Sequence, residues 1–142
     1  MKKPTFEDLD IMVKTVWGEA RGESHEGKVA VAHVILNRAN AAEKAGAPKM
    51  YGDGSIKSAC LFPKQFSCWN KNDRNYNLIQ ELYVDDEYYV KCLKACNEAL
   101  SKPETDKTGK ANHYWSRRML KPPVWAEGKE YVTIGNHNFI RL

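Results

Sequence analysis

The run Val29-Ala30-Val31-Ala32-His33-Val34-Ile35-Leu36 is the longest apolar stretch of the chain, and every other element has to be arranged around it. Taken alone it would serve as a buried strand. Ala39, Ala41 and Ala42, however, carry it onward with strong helix formers, and Ser24 stands ahead of it as an N-cap residue. The segment from Ser24 onward therefore predicts one long helix. Its apolar side chains leave on nearly every side, so that helix is expected at the centre of the domain. The run is well short of the ~20 residues that span a bilayer, and membrane insertion is not expected.

Elements to surround it can be read on both sides. Phe6, Leu9, Met12, Val13, Val16 and Trp17 draw one helical stripe, with Thr5 as N-cap and Glu7 and Asp8 in the first turn. Gly18 and Gly22 bracket the exit from this helix, which is expected to end near Glu19. A short helix is predicted from Ser55 to Leu61, stopping before Pro63. The polar run from Asn70 to Asn77 reads as a surface loop. Asp85-Asp86-Glu87 open a further helix whose inward stripe is Tyr89, Cys92, Leu93, Cys96, Ala99 and Leu100. From Ala111 onward the chain is rich in aromatic and β-branched residues, with Pro122-Pro123 among them, and predicts short strands or a hairpin. At 142 residues the chain is about one domain long. The expected fold is mainly α (α+β), a single domain with a small C-terminal β-hairpin.

Charge and cysteine usage exclude some functions. Glu7, Asp8 and Asp10 interrupt the place where a signal sequence would carry its apolar core, so synthesis in the cytoplasm without a signal peptide is expected. Cys60, Cys68, Cys92 and Cys96 are then expected to be reduced, with a Cys60–Cys68 bridge left open for an oxidising space. The net charge of +4 favours a polyanionic partner. Nucleic acid is not that partner, because the basic residues are dispersed rather than gathered on one helix or stripe. His33, His113 and His137 match no zinc-binding spacing, and no metal or cofactor is expected. His33, set in the apolar run, reads as a hydrogen-bonded core residue, and His137 as a structural turn contact.

The most informative stretch is Trp17-Gly18-Glu19-Ala20-Arg21-Gly22-Glu23, which places two carboxylates and an arginine between an amphipathic helix and a buried one. A carboxyl half enclosed by apolar walls such as Trp17 resists ionisation, as a glycosidase acid must. From the residues alone, the commoner reading is a pair of solvated charges flanking a turn, with Arg21 as their surface partner.

This run, with Glu26-Gly27 and Val29-Ala30-Val31-Ala32 through Val34-Ile35-Leu36-Asn37-Arg38, resembles the signature of the SleB/CwlJ-type cell-wall hydrolases. These are the spore-cortex-lytic enzymes and their relatives, phage lysins among them. Two later blocks match in order: Ser55-Ile56-Lys57 leading to Gln65-Phe66-Ser67-Cys68-Trp69, and Ile134-Gly135-Asn136-His137 with Phe139 and Arg141. The resemblance implies a compact lysozyme-like, lytic-transglycosylase-like domain that cuts peptidoglycan glycan strands between N-acetylmuramic acid and N-acetylglucosamine.

It also implies that Glu19 is the single acid/base, which reverses the reading from composition. Gln65, Phe66, Ser67 and Trp69 would line the glycan groove, joined by Tyr114, with core packing as the competing role for the aromatics. Glu23 would be either a second carboxylate or a structural partner of Arg21. Such a domain is expected to act as a monomer on the bacterial wall, as a phage lysin or as a germination enzyme. Two other functions stay open at this point: a zinc-dependent wall amidase using the histidines, and a catalytically silent murein-binding module.

Overall fold

The computed structural model describes all 142 residues. Five helices come first: α1 (Phe6–Ala20), α2 (His25–Ala41), α3 (Ile56–Leu61), α4 (Arg74–Gln80) and α5 (Glu87–Ser101). Three short strands follow, β1 (His113–Ser116), β2 (Val132–Ile134) and β3 (His137–Ile140).

The apolar run does form the central helix. Every residue of α2 from Gly27 to Leu36 is buried, and α1, α3 and α5 pack around it. Ser24 caps it as expected, its Oγ accepting from Gly27 N at 3.2 Å. His33 is buried with Nε2 2.9 Å from Thr105 Oγ1, so this polar atom of the core helix is satisfied. No helix is long and apolar enough to cross a membrane.

α1 begins with a reciprocal cap: Thr5 Oγ1 accepts from Asp8 N at 3.1 Å, and Asp8 Oδ2 accepts from Thr5 N at 2.9 Å. The second Asp8 oxygen accepts from Lys57 N at 2.9 Å, tying the start of α1 to α3. The inward stripe is shorter than the sequence implies. Met12, Val13, Val16 and Trp17 are buried, but Phe6 is 95% exposed and Leu9 only half-buried. The first turn overhangs the core: Asp8 is buried, and Leu9 packs against the core's margin.

Gly18 and Gly22 bracket the end of α1 at Ala20 as expected, and Gly18, inside the last turn, is also a point of close packing. A β-carbon there would stand 2.4 Å from Cys68 Cβ and 3.1 Å from Ile79 Cδ1. Alanine would gain about 1 kcal/mol in helix propensity. A clash with another β-carbon cannot be relieved by rotation, however, and forcing it apart costs about 1–3 kcal/mol. Gly18→Ala is therefore expected to lower the thermal midpoint. Gly22→Ala, where an added carbon meets nothing within 4 Å, should not. Equal midpoints for the two variants would contradict this packing.

The run expected as a loop from Asn70 to Asn77 contains the start of α4. Asp73 caps this helix through Oδ1, which accepts from Asn75 N at 2.8 Å, and Ile79 anchors it in the core. With one buried residue among its seven, its helical period is nearly invisible in the sequence. α5 buries Tyr89, Cys92, Cys96 and Ala99 as expected, while Leu93 and Leu100 sit at its half-buried margin. All four cysteines are buried free thiols, so Cys60 and Cys68 are not bridged.

The C-terminal part holds the expected hairpin, β2–β3, and a third strand. The order is β1-β3-β2, all antiparallel, with Tyr114 opposite Phe139 and Ser116 opposite His137. Alternation splits the sheet into two faces. Tyr114, His137 and Phe139 share one face, and Phe139 belongs to the main core. Trp115 and Ile140 share the other, which the chain after β1 covers with Trp125 and Tyr131, each packed edge-on against Trp115.

Candidate active site

Glu19 sits in the last turn of α1, where the chain turns back into α2. Two side chains from distant parts of the sequence meet it. Tyr114 of β1 donates its hydroxyl to Glu19 Oε1 at 2.7 Å, and Ser67 Oγ lies 3.4 Å from Oε2. Burial, and after it the Glu19 charge, pushes the Tyr114 phenol well above its ordinary value. It therefore remains a donor throughout the working pH range. One carboxylate oxygen is held firmly and the other only by a long contact.

Glu23 has a different environment. Its side chain is 8% exposed, Oε1 accepts from Asn136 N at 2.8 Å, and Oε2 accepts from Asn136 Nδ2 at 2.7 Å. His137 Nδ1 stands 3.3 Å from Oε1, close enough to attract but out of hydrogen-bond alignment. Burial acts to raise the pKa of Glu23, yet the Asn136 donors and then His137 outweigh it, and the carboxyl is lowered overall. The turn carrying these donors needs glycine at position 135. Its φ is +60°, and a β-carbon there would stand 2.8 Å from Glu23 Oε1. Lys28 reaches back to the Glu23 carbonyl, closing the corner between the two helices.

The expected Glu23–Arg21 pairing is therefore absent. Arg21 turns back over α1, with its guanidinium carbon 4.1 Å from the centre of the Trp17 ring. Nη1 donates to Trp17 O at 3.2 Å and Nη2 to Asn75 Oδ1 at 2.9 Å.

The proposed groove block divides on inspection. Ser67 reaches Glu19, but Phe66 is 1% exposed and packs in the core beneath Arg38, its ring centre 5.3 Å from the guanidinium carbon. Gln65 Oε1 accepts from Arg38 Nη1 at 3.2 Å, and Trp69 Nε1 donates to Thr15 Oγ1 at 2.8 Å. Phe66 thus supports the site from behind and offers no face to a ligand. Gln65 and Trp69 are half-buried, with these polar groups engaged within the protein.

An open pocket of about 320 Å³ lies beside Glu19, walled by the Gly18–Glu23 turn, Arg74, Asn75, Asn136 and His137. Sequence reasoning missed Arg74 and Asn75, which fall in the run taken for a loop, and the role of Asn136 as the partner of Glu23. Nothing in the local sequence marks Arg74 or Asn75, and although Asn136 stands in the C-terminal block that carries the resemblance, its bond to Glu23 has no local signature. A larger cleft of about 620 Å³ at the far end of α2 has no aspartate or glutamate side chain in its wall. The three histidines considered for zinc stand apart. His33 contacts Thr105, His113 packs on Trp125 over the outer sheet face, and His137 lies beside Glu23.

These environments make the fold acid-sensitive. Burial and then the Arg38 guanidinium depress His113 to about 4, and burial lowers His33 and His137 as well. Unfolded histidines titrate near ~6.5, so below that pH the unfolded chain takes up protons that the native one refuses. Asp8, Glu23 and Asp106 are likewise lowered in the folded state, against burial, by the hydrogen bonds they accept. They add a further loss as pH falls through the carboxylate range. The thermal midpoint is expected to drop continuously on acidification below about pH 6.5. A midpoint flat down to pH 4 would contradict these assignments.

A family model described as Cell Wall Hydrolase matches residues 22–140. Short stretches also match curated proteins. The chain is 63% identical over 35 residues to a spore cortex-lytic enzyme of Oceanobacillus iheyensis and 58% identical over 33 residues to one of Bacillus subtilis. These stretches cover 25% and 23% of this chain but only 13% and 11% of those proteins. Among solved structures, the catalytic domain of the Bacillus cereus SleB protein superposes with a TM-score of 0.74 at 25% identity, over 99% of this chain and 94% of that one. The catalytic domain of a germination-specific lytic transglycosylase, SleB from Bacillus anthracis, gives 0.70 at 26% identity, over 99% of both chains.

Proposed function

The chain belongs to the cell wall hydrolase family, and we propose that it cleaves the bond between N-acetylmuramic acid and N-acetylglucosamine in peptidoglycan, with Glu19 as its one acid/base. The observation that carries this reading is the contrast between the two carboxylates. Glu19 stands at an open pocket with one oxygen fixed by Tyr114 and the other nearly free. Glu23 has both oxygens occupied by Asn136.

A glycosidase of the usual kind needs a second carboxylate, as nucleophile or as the base that activates water. Glu23 is not free for either task. The muramic acid residue can supply what is missing. Glu19 gives its proton to the glycosidic oxygen, the bond from that oxygen to C1 of the muramic acid breaks, and the glucosamine leaves as an alcohol. The N-acetyl carbonyl of the muramic acid shields the positive charge at C1. The Glu19 carboxylate then takes the proton from the 6-hydroxyl as that oxygen bonds to C1. This closes a 1,6-anhydro ring and restores the acid for the next cycle. Tyr114 holds the carboxyl in one orientation through both transfers.

Digestion of purified sacculi tests the reading. The expected products are shortened glycan strands with their peptides still attached. Release of free peptides from intact glycan would identify an amidase, and sedimentation with murein without cleavage would identify a binding module. Either outcome would overturn the proposal.

A further inference from the structure

Two arginines stand in the pocket beside Glu19 without an acidic partner. Arg21 and Arg74 both line it, and neither belongs to any ion pair in the molecule. The carboxylates close to them in sequence are otherwise engaged. Glu23 is bound by Asn136, and Asp73 accepts from the backbone of Asn75. Arg21 is held in advance, stacked on Trp17 and anchored on Asn75, and Asn75 is the chain neighbour of exposed Arg74. The two cations are thus mounted on one short array along the wall of the pocket, and Arg21 is already ordered.

Neutral sugars do not call for such an array. The rings of a peptidoglycan strand carry no charge of their own. Its negative charge resides in the lactyl carboxyl of muramic acid, when free, or in the carboxylates of the peptide attached there. A guanidinium held in a fixed orientation recognises a carboxylate through paired N–H donors, and pre-ordering reduces the entropy lost on binding. We infer that the pocket beside Glu19 binds a carboxylate of the substrate between Arg21 and Arg74, so that strands bearing an acidic lactyl or peptide appendage are preferred over neutral ones. This rests on the reading of the pocket as the glycan site.

Equilibrium binding tests it, using Glu19→Gln protein so that no strand is consumed. Three soluble strands serve as probes: one bearing peptides, one stripped by an amidase to the free lactyl carboxylate, and a stripped one whose lactyl groups are converted to neutral carboxamides. The two charged strands should bind roughly five- to tenfold tighter than the carboxamide, and the tighter of them identifies the source of the carboxylate. Adding Arg74→Gln should reduce that ratio to about twofold or less, and Arg74→Lys should restore part of it. Lys94→Gln, on the exposed side of α5, should leave the ratio intact. Equal affinity for charged and neutral strands would overturn the inference. So would a ratio that survives Arg74→Gln, or one that falls as far with Lys94→Gln. If none of the strands binds, the carboxylate site is refuted, and sacculus digestion by the parental protein decides separately whether the glycosidase reading survives.

Discussion

Glu19→Gln should leave the domain folded and reduce glycan cleavage by about a thousandfold or more, in line with loss of a positioned acid/base. The substitution is nearly isosteric. Its amide oxygen can still accept from Tyr114, whose hydroxyl lies 2.7 Å from Oε1. Only one side-chain contact at the site is sensitive to the change, so stability should move by less than ~1 kcal/mol. An amide has no proton to give a glycosidic oxygen and no basicity to remove one from a hydroxyl. In the proposed cycle the same group serves both halves, and Glu23, with both oxygens held by Asn136, is not free to take over either. Cleavage at the parental rate by a folded variant would remove Glu19 from the mechanism.

Glu23→Ala should show the reverse pattern, a large loss of stability with a smaller loss of chemistry. Alanine removes two charge-assisted hydrogen bonds, to Asn136 N and Nδ2, from a side chain that is 8% exposed. Bonds to charged groups contribute about 1.5–3 kcal/mol each, and donors left unsatisfied by water carry their own cost. Asn136 is half-buried, so solvent restores part of this, and the net loss should be about 2–4 kcal/mol. In a domain of this size that corresponds to a midpoint lower by about 10 °C. Below its melting transition the variant should retain activity within about tenfold of the parent, because the proposed cycle gives Glu23 no part in either proton transfer. If Glu23 were instead a nucleophile or base, its loss would abolish turnover even where the variant is fully folded. Thermal unfolding and sacculus digestion on the same sample separate the two cases.

The contrast between these carboxylates marks how far local sequence can be read. α2 was legible because a continuous apolar run extended by alanines has one economical fate, a central helix. Position 19 was legible as the junction of two helices, and the structure places Glu19 there, in the last turn of α1. The partner of Glu23 was not. Arg21 is two residues away and of opposite charge, whereas Asn136 is 113 residues away and neutral. The main-chain N–H that holds Glu23 has no signature in the sequence at all. Phe66 failed for a related reason. A phenyl ring that packs a core and one that faces a sugar have the same composition, and only the position of Arg38 over Phe66 separates them. Gly18 and Gly22 marked the helix exit, but the close approach of Gly18 to Cys68 becomes visible only once the Ser67–Trp69 turn is seated on α1.

The central claim is that one carboxyl, Glu19, performs both proton transfers while the 6-hydroxyl of muramic acid replaces an external nucleophile. Mass spectrometry of strands cut by the parental protein in heavy-oxygen water tests it most directly. The account predicts 1,6-anhydromuramic ends that contain no oxygen from the solvent. Reducing muramic acid ends that carry the heavy isotope would show that water makes the attack, and would contradict it.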